Sequence, residues 1–450
     1  MIMSGRIFSR TVALLAAIVM SAVWSGAQTY SSFTPYSSFA VGDLHTLGST
    51  YNRTMGGTGI AGRNNYYLNI MNPAAVSARD TLSVLIDYSM YQDNKYFRQG
   101  GMKGAGNTFN IGDLAVSFPI WKTAAMMVGI QPYSATGYGY RYAVEDPEVI
   151  GRTGNITYSA LGRGGLYQAF AGAGVTFWRR FSVGAQVNYI FGQIARSYKE
   201  TFELASFNGA QNGYTLQLKG INGKFGFQYA QPISGKAKLT LGATYTMKTP
   251  LKGFVEGFKY SSGSAATDTL YHKVDTLVGS PANPYLASEI GVGVNFRYDD
   301  KWCAEIDFTM SDWTGSRMAS TPGFMGNAVT TATHSSFAAT SSRSIRAGFE
   351  YTPNRNDIRY YFKKCSYRIG GYYRNEYYKL DGRDVNTAAL TFGVTLPITR
   401  QDGLRGNGIT LGMELGQRGS LAGNLIRERF INFTFGFNMY DIWFLKPKYN

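Results

Sequence analysis

Three histidines and two cysteines are the residues of this chain best suited to metal or nucleophile chemistry. His45, His272 and His334 stand far apart. Neither a His-x-x-x-His nor a Cys-x-x-Cys spacing occurs, so a metal site has weak support. No Gly-x-Ser-x-Gly elbow is present. A lipase at a lipid boundary would need a serine beside a histidine. His272, between Asp268 and Asp275, is a candidate only by proximity and reads as a solvated loop residue. The segments Thr267–Leu270 and Asp275–Leu277 echo each other without a mechanism. The expectation is therefore no enzyme, no catalytic residue, no metal and no cofactor. Cys303 shares parity with Glu305 and Asp307, whereas Cys365 shares it with Tyr367 and Ile369. Opposite faces of non-adjacent strands do not form a disulfide, so two free thiols in packed positions are expected.

The remaining chemistry is charge. Glu289, Arg297, Glu305, Asp307, Arg346, Glu350, Arg368, Arg374 and Glu376 all fall on the inward parity of their segments. They read either as a neutralising ladder that stiffens a wall and anchors its filling, or as a polar path. Acid–base pairing is expected on both readings, because a buried charge must be paired. The formal net charge is +16. For an exported chain this fits an anionic lipopolysaccharide surface, or attraction of an anionic solute, better than nucleic acid.

The elements that carry these residues are strands. Ile431, Phe433, Phe435, Phe437 and Met439 point one way, and Asn432, Thr434, Gly436 and Asn438 the other. That period-two alternation is a β-strand, and it recurs from about Leu82 to the C-terminus. Turn to turn, about fourteen strands are predicted, including one over 237–258 and one over 123–139. A mean hydropathy of −0.18 is too low for a helical membrane protein but fits strands with lipid outside and water inside. The fold class is thus all-β: a transmembrane antiparallel β-barrel of about 14 strands. Short connections (Trp121–Lys122, Trp178–Arg180, Gln231–Lys236, Asp299–Asp300) alternate with long ones. Trp121, Trp178 and Trp302 sit beside short turns, with Trp443 just after the last strand, at the level where indoles prefer headgroups.

Arg6 and Arg10, the apolar run Thr11–Val23 and Ser25-Gly26-Ala27 read as a signal peptide over 1–27. Residues 28–80 lack strand pattern, and 81–450 form the barrel. An even strand count, tight turns at one end and the tryptophans predict an outer membrane of a Gram-negative bacterium, with both termini periplasmic.

Residues 28–80 carry Met55-Gly56-Gly57-Thr58-Gly59-Ile60-Ala61 and, some way on, Asn72-Pro73-Ala74. Glycine at this density permits close backbone approach. A glycine-rich Met-Gly-Gly-x-Gly-x-Ala stretch followed by Asn-Pro-Ala resembles the N-terminal region of FadL/OmpP1/TodX-type outer-membrane transporters. The resemblance implies that residues 28–80 are a hatch in the lumen. It implies passage of hydrophobic molecules such as fatty acids, released sideways through a kinked strand; Pro132, Gly137 and Gly139 of the third strand suit such an opening. The sequence departs from the family at Arg63–Tyr67, where members often carry an acidic Asp-Ala-Ser-like run. That departure bears on substrate class more than on fold.

Two functions follow. One is passive, hatch-gated uptake of hydrophobic or amphipathic, fatty-acid-like molecules, with Met318, Phe324, Met325 and Phe337 lining an outer pocket. The alternative is a structural or accessory barrel that docks a protein-secretion or surface complex. Expected partners are outer-membrane lipid and lipopolysaccharide, a hydrophobic ligand, the barrel-assembly machinery and a protein at the outside loops, but no nucleic acid.

Overall fold

The structure is a computed structural model that describes residues 31–442 except 47, 80–81, 145, 205, 262–268, 280–282, 326–335 and 399–406. The expected signal peptide, His334, Asp268 and Trp443 lie outside the described residues. In chain order the long strands are β1 (Ser83–Gln99), β2 (Met102–Trp121), β3 (Ala124–Ala143), β4 (Ile156–Phe177), β5 (Phe181–Phe202), β6 (Ala210–Pro232) and β7 (Ala237–Thr246). They continue as β8 (Lys252–Ser261), β9 (Thr269–Val278), β10 (Glu289–Tyr298), β11 (Trp302–Asp312) and β12 (Ser341–Tyr351). The last are β13 (Ser366–Leu380), β14 (Arg383–Pro397), β15 (Gly408–Arg418) and β16 (Arg427–Ile442).

All of these except β8 and β9 form a closed antiparallel barrel of 14 strands. It closes where β16 pairs with both β15 and β1 (Gly408↔Asn438, Ser83↔Ile442). The alternation dictates which face meets lipid. Val183, Val187, Tyr189, Leu241, Ile290 and Ile431 are exposed on the outer wall, whereas Ser182, Gln186, Asn188 and Thr240 are buried inside. Trp121, Trp178 and Trp302 lie at one rim, called here the tryptophan rim. Two connections at this rim depart from the short-turn pattern: residues 352–365, which include a helical turn over Tyr361–Lys364, and the ten residues 398–407 between β14 and β15.

The wall is uneven. β2 to β6 run 20 to 23 residues, whereas β7 and β10 to β12 run 10 or 11. A spanning strand needs about 9–11 residues, so β2 to β6 project well beyond the bilayer at the opposite, tall rim. The strand expected over 237–258 is in fact two. It breaks after Thr246, because Pro250 has no N–H for the ladder and Leu251 turns into the core. The second part, β8, stacks above β7 on the upper half of β6 (Lys252↔Lys219 to Ser261↔Ala210). It makes a hairpin with β9, which falls within the connection 261–285 that the sequence presented as a long loop.

A seam interrupts the wall. β2 and β3 pair only from Trp121↔Ala124 to Leu114↔Ile130. Above that, β2 bonds to β1 alone, and β3, after a bulge between Pro132 and Ser134, bonds to β4 on one side.

Residues 31–79 fill the lumen. They enter at the tall rim, form a short bridge with β3 (Asp43↔Ala135, Leu44↔Ser134), make one helical turn at Thr50–Thr54, and end in a 3₁₀ turn at Pro73–Ser77 near the tryptophan rim. Asn72 caps that last turn, its side-chain oxygen accepting from the Ala74 N–H at 3.0 Å.

Candidate functional site

The lumenal segment is seated by the two motifs that stood out in the sequence. At one level of the barrel, ten wall strands present a glycine to it in nearly continuous register. Gly174, Gly184 and Gly226 are cross-strand neighbours, as are Gly242 and Gly293, Gly348 and Gly370, and Gly393 and Gly412, with Gly436 beside them on β16. At all of them but Gly293, where an added methyl would meet Asp307 first, a methyl group would overlap the segment. Gly174 and Gly184 face Pro73 and Ala74, Gly226 faces Asn72, and Gly242 faces Ile60 and Ala61. Gly348 and Gly370 face Met55 and Gly56, Gly393 and Gly412 face Thr54, and Gly436 faces Thr50. Gly56 itself lies at φ +70° with its Cα against the Ala347 and Gly371 backbones, a conformation and a spacing that only glycine meets.

Where the glycine ring lapses, on β11, two carboxylates take its place. Asp307 Oδ2 accepts the N–H groups of Gly59 (2.7 Å) and Ile60 (2.9 Å), and Glu305 Oε1 accepts that of Ala61 (3.0 Å). Both acids are buried. Gly56 N–H donates to Thr391 Oγ1 at 2.9 Å. On the carbonyl side, Asn72 Nδ2 and Gln228 Nε2 donate to Ile60 O (2.7 and 2.9 Å), and Asn69 Nδ2 donates to Gly59 O and Gly62 O. Buried backbone groups need such partners; the wall supplies Asp307, Glu305, Thr391 and Gln228, and the segment supplies Asn69 and Asn72 itself. Among the sequence-predicted residues, Met55, Gly56, Gly57, Gly59, Asn72, Pro73 and Ala74 all come together in this seat.

Two ionic clusters complete the filling. Near the tryptophan rim, Arg368 bonds Glu350 at 2.8 Å and lies over the rings of Tyr51 (4.6 Å) and Tyr67 (4.9 Å), which stack on each other. Arg297 also reaches Glu350 at 3.8 Å. At the tall rim, Arg418 binds Asp43 at 2.9 Å and approaches Glu376 at 3.6 Å, while Lys95 lies between Asp43 (3.5 Å) and Glu428 (3.7 Å). Thr34 Oγ1 donates to Glu428, and Tyr377 Oη to Gly42 O at 2.6 Å. Of the nine-residue ladder expected, Arg297, Glu350 and Arg368 pair here and Arg374 pairs with Glu376 at 2.9 Å, whereas Glu305 and Asp307 hold segment backbone instead and, among the described residues, Glu289 and Arg346 form no ion pair within 4 Å. Asp43, Lys95, Arg418 and Glu428 were missed, since Asp43 lies in the segment without strand pattern. Among the described residues, cavities of about 100 and 120 Å³ lie between these groups, lined mainly by polar and charged side chains including Asp43, Lys95, Arg374, Lys224, Glu289 and Arg346.

The seam is backed from inside by residues 31–34. Thr34 N–H donates to Gly137 O (2.7 Å), Asn110 Nδ2 to Ser31 O (2.9 Å), and Ser31 Oγ to Gly164 O (2.9 Å). Ser32 packs on Gly137, and Phe33 packs on Gly106 and against the Phe97 ring. Pro132 stands at the bulge, whereas Gly139 pairs as an ordinary strand residue with Leu161. Met318, Phe324 and Phe337 are buried in one core with Tyr36, Val41, Trp313 and Tyr377; Phe39 stacks on Phe337, and Ala40 N–H donates to Phe324 O at 2.6 Å. Met325 is at the surface. His272 bonds Glu256 at 2.5 Å on β8. Cys303 and Cys365 are both buried free thiols.

A family model described as BamG matches residues 9–450. No curated protein matches significantly. Among solved structures, the Pseudomonas putida toluene transporter TodX is 14% identical with a TM-score of 0.58, over 89% of this chain and 99% of that one. The Ralstonia pickettii toluene transporter TbuX is 15% identical with a TM-score of 0.55, over 87% and 97%. A Pseudomonas aeruginosa FadL homologue is 11% identical with a TM-score of 0.51, over 89% and 99%. At these identities the likeness is one of fold: a β-barrel of the FadL type, as the resemblance implied.

Proposed function

The chain belongs to the BamG family, and we propose that its FadL-type barrel is a sealed outer-membrane scaffold that docks a protein-secretion or surface complex. The observation that carries this reading is the seat. The segment that fills the lumen is held by two wall carboxylates and the Gln228 amide on its backbone, and by glycines that bring wall and segment into direct contact. A lumen packed this way, with paired charges and small polar cavities between, suits a plug better than a path for apolar cargo. On this reading the tryptophan rim faces the periplasm and the tall rim the exterior. The test has two arms: conductance of the purified full chain in planar bilayers, and purification from native membranes. A barrel without conductance that brings a stoichiometric polypeptide supports the scaffold. A conducting barrel that brings only a lipid overturns it.

A second reading is passive uptake of fatty-acid-like or other hydrophobic molecules, gated by residues 28–80 as a hatch. The observation that favours it is the seam, which lies at Pro132 and Gly137. TodX and TbuX are described as toluene transporters, which lends the reading a precedent. It needs residues 31–34 to leave the seam and Met318, Phe324 and Phe337 to open from a packed core into a lining with Met325. Uptake of a labelled fatty acid into liposomes bearing the chain, absent from empty liposomes, would favour it over the scaffold.

A further inference from the structure

The apolar band of the outer wall ends abruptly where β16, β1 and β2 run side by side towards the tall rim. Its last row is Ile431, Asn94 and Asn107, with Phe433, Phe435, Phe109 and Ile111 exposed below it. The next outward row is Arg429, Tyr96 and Ala105, and the one after it is Arg427, Arg98 and Lys103. Four cations thus stand in two rows on three adjacent strands. Along the strand these rows lie about 7 Å and about 14 Å beyond Ile431. A headgroup layer is about 5–8 Å thick, so the first row falls within it and the second just outside.

Like charges directly opposite each other destabilise a strand pair. Arg98 faces a cation on both sides, Arg427 and Lys103. Opposed Cβ atoms lie about 5 Å apart, inside the ionic screening length of about 8 Å. Among the described residues none of the four forms an ion pair within 4 Å. Arg98 Nε donates to Gly100 O at 3.4 Å and Arg429 Nε to Gln417 Oε1 at 3.3 Å, and neither acceptor is an anion. The acids beside them in the chain, Asp93 and Glu428, line a cavity on the inner face. A lysine can serve to blunt an open strand edge, as Lys103 would on upper β2. Arg98 and Arg429 have no such role, since both pair with a strand on either side. What offsets the repulsion is a polyanion. The apolar rows directly below are lipid-facing wall, so the anion that meets the cluster is carried by a lipid. A single-phosphate headgroup reaches the first row alone, whereas a phosphorylated glycolipid also offers anionic groups to the second.

We propose that Arg98, Lys103, Arg427 and Arg429 form a binding site for the phosphate groups of an outer-leaflet glycolipid of the lipid A class, whose acyl chains lie on Ile431, Phe433 and Phe109. Tyr96, 44% exposed between Arg98 and Arg429, places an amphipathic ring at the same level. This rests on the orientation that sets the tall rim outside, and it holds whether or not the lumen conducts.

The test is native mass spectrometry of the purified full chain offered three lipids separately: diphosphoryl lipid A, the same lipid stripped of phosphate, and phosphatidylglycerol. The chain should retain diphosphoryl lipid A about tenfold more tightly than either of the others. The double variant Arg427→Gln, Arg429→Gln should lose that preference. The double variant Arg141→Gln, Lys199→Gln, which removes the same charge from exposed positions elsewhere towards the tall rim, should keep it. Equal retention of the three lipids, or equal loss in the two double variants, overturns the proposal. Without lipid, Arg427→Gln, Arg429→Gln relieves repulsion and should unfold no lower than the native chain. Unfolding well below it would show these charges engaged within the protein and would also overturn the proposal. Orientation is read separately: Lys103→Cys should react with a membrane-impermeant maleimide on intact cells. Reaction only after permeabilisation sets the tall rim in the periplasm, and the orientation and the proposal then fall together.

Discussion

Asp307 does at one residue what a whole strand edge does elsewhere: it accepts two successive backbone N–H groups, from Gly59 and Ile60. Replacing Asp307 with alanine orphans both donors. A buried unsatisfied group costs about 1–3 kcal/mol. Amide exchange at Gly59–Ala61 should therefore accelerate at least tenfold in Asp307→Ala, with β10 to β12 unchanged, while Asp307→Asn, which keeps an acceptor oxygen, recovers most of the protection. Exchange that speeds equally throughout the wall would show that Asp307 holds the barrel rather than the segment. The facing glycines make a second prediction. Gly226→Val overlaps Asn72, yet valine is the better strand former, so the wall has no local reason to weaken. Overpacking costs about 1–3 kcal/mol, and the segment is the part free to yield. Conductance should rise from near zero, with a lower unfolding temperature.

At the scale of elements, the seam is where the wall depends on a segment that is not wall. Upper β2 and upper β3 share no ladder, and residues 31–34 bridge them through Gly137 and Asn110. Gly137→Val would place a side chain where the Ser32 backbone lies. In a Ser32→Cys background, maleimide labelling should go from slow to complete within minutes when Gly137→Val is added. The native thiols Cys303 and Cys365 are buried and serve as the unreactive baseline. The scaffold reading expects no gain in fatty-acid uptake from the same variant, and the uptake reading expects a clear one.

Over the whole molecule, the ionic cluster at the tall rim joins parts far apart in the chain. Asp43 of the lumenal segment, Lys95 of β1, Glu376 of β13, Arg418 of β15 and Glu428 of β16 meet there. Removing one member of a buried pair costs about 3–5 kcal/mol, because the partner is left charged and dry. Arg418→Ala should lower the unfolding temperature by several degrees. Arg152→Ala, which breaks the exposed Arg152–Glu148 pair, should change it little, since such pairs contribute about 0–1 kcal/mol. Equal effects would mean that the tall-rim cluster is effectively solvated.

Period-two alternation and turn residues are local properties, and they were enough for an all-β barrel of about fourteen strands, the lipid-facing side chains, and the glycine-rich motif as something other than wall. The inward charges were legible too, because parity alone assigns a face. What they bond to was not. Parity alone puts Gly242 and Gly293 on the inward face; only closure of the barrel shows them beside Ile60 and Ala61, far away in the chain. The split at Pro250 and the β8–β9 hairpin escaped for a related reason. A strand stacked on the upper half of β6 has the same alternation as one that continues β7, and the difference lies in the pairing partner. Met318, Phe324 and Phe337 show the limit again: aromatic and sulfur side chains in a long connection line a pocket or fill a core equally well by type. The lumenal segment threading beneath them, Phe39 and Val41 included, decided for the core. Sequence carries the periodicity that a single strand obeys. Which surfaces meet inside a closed wall is settled by contacts distant in the chain, and those exist only in the folded molecule.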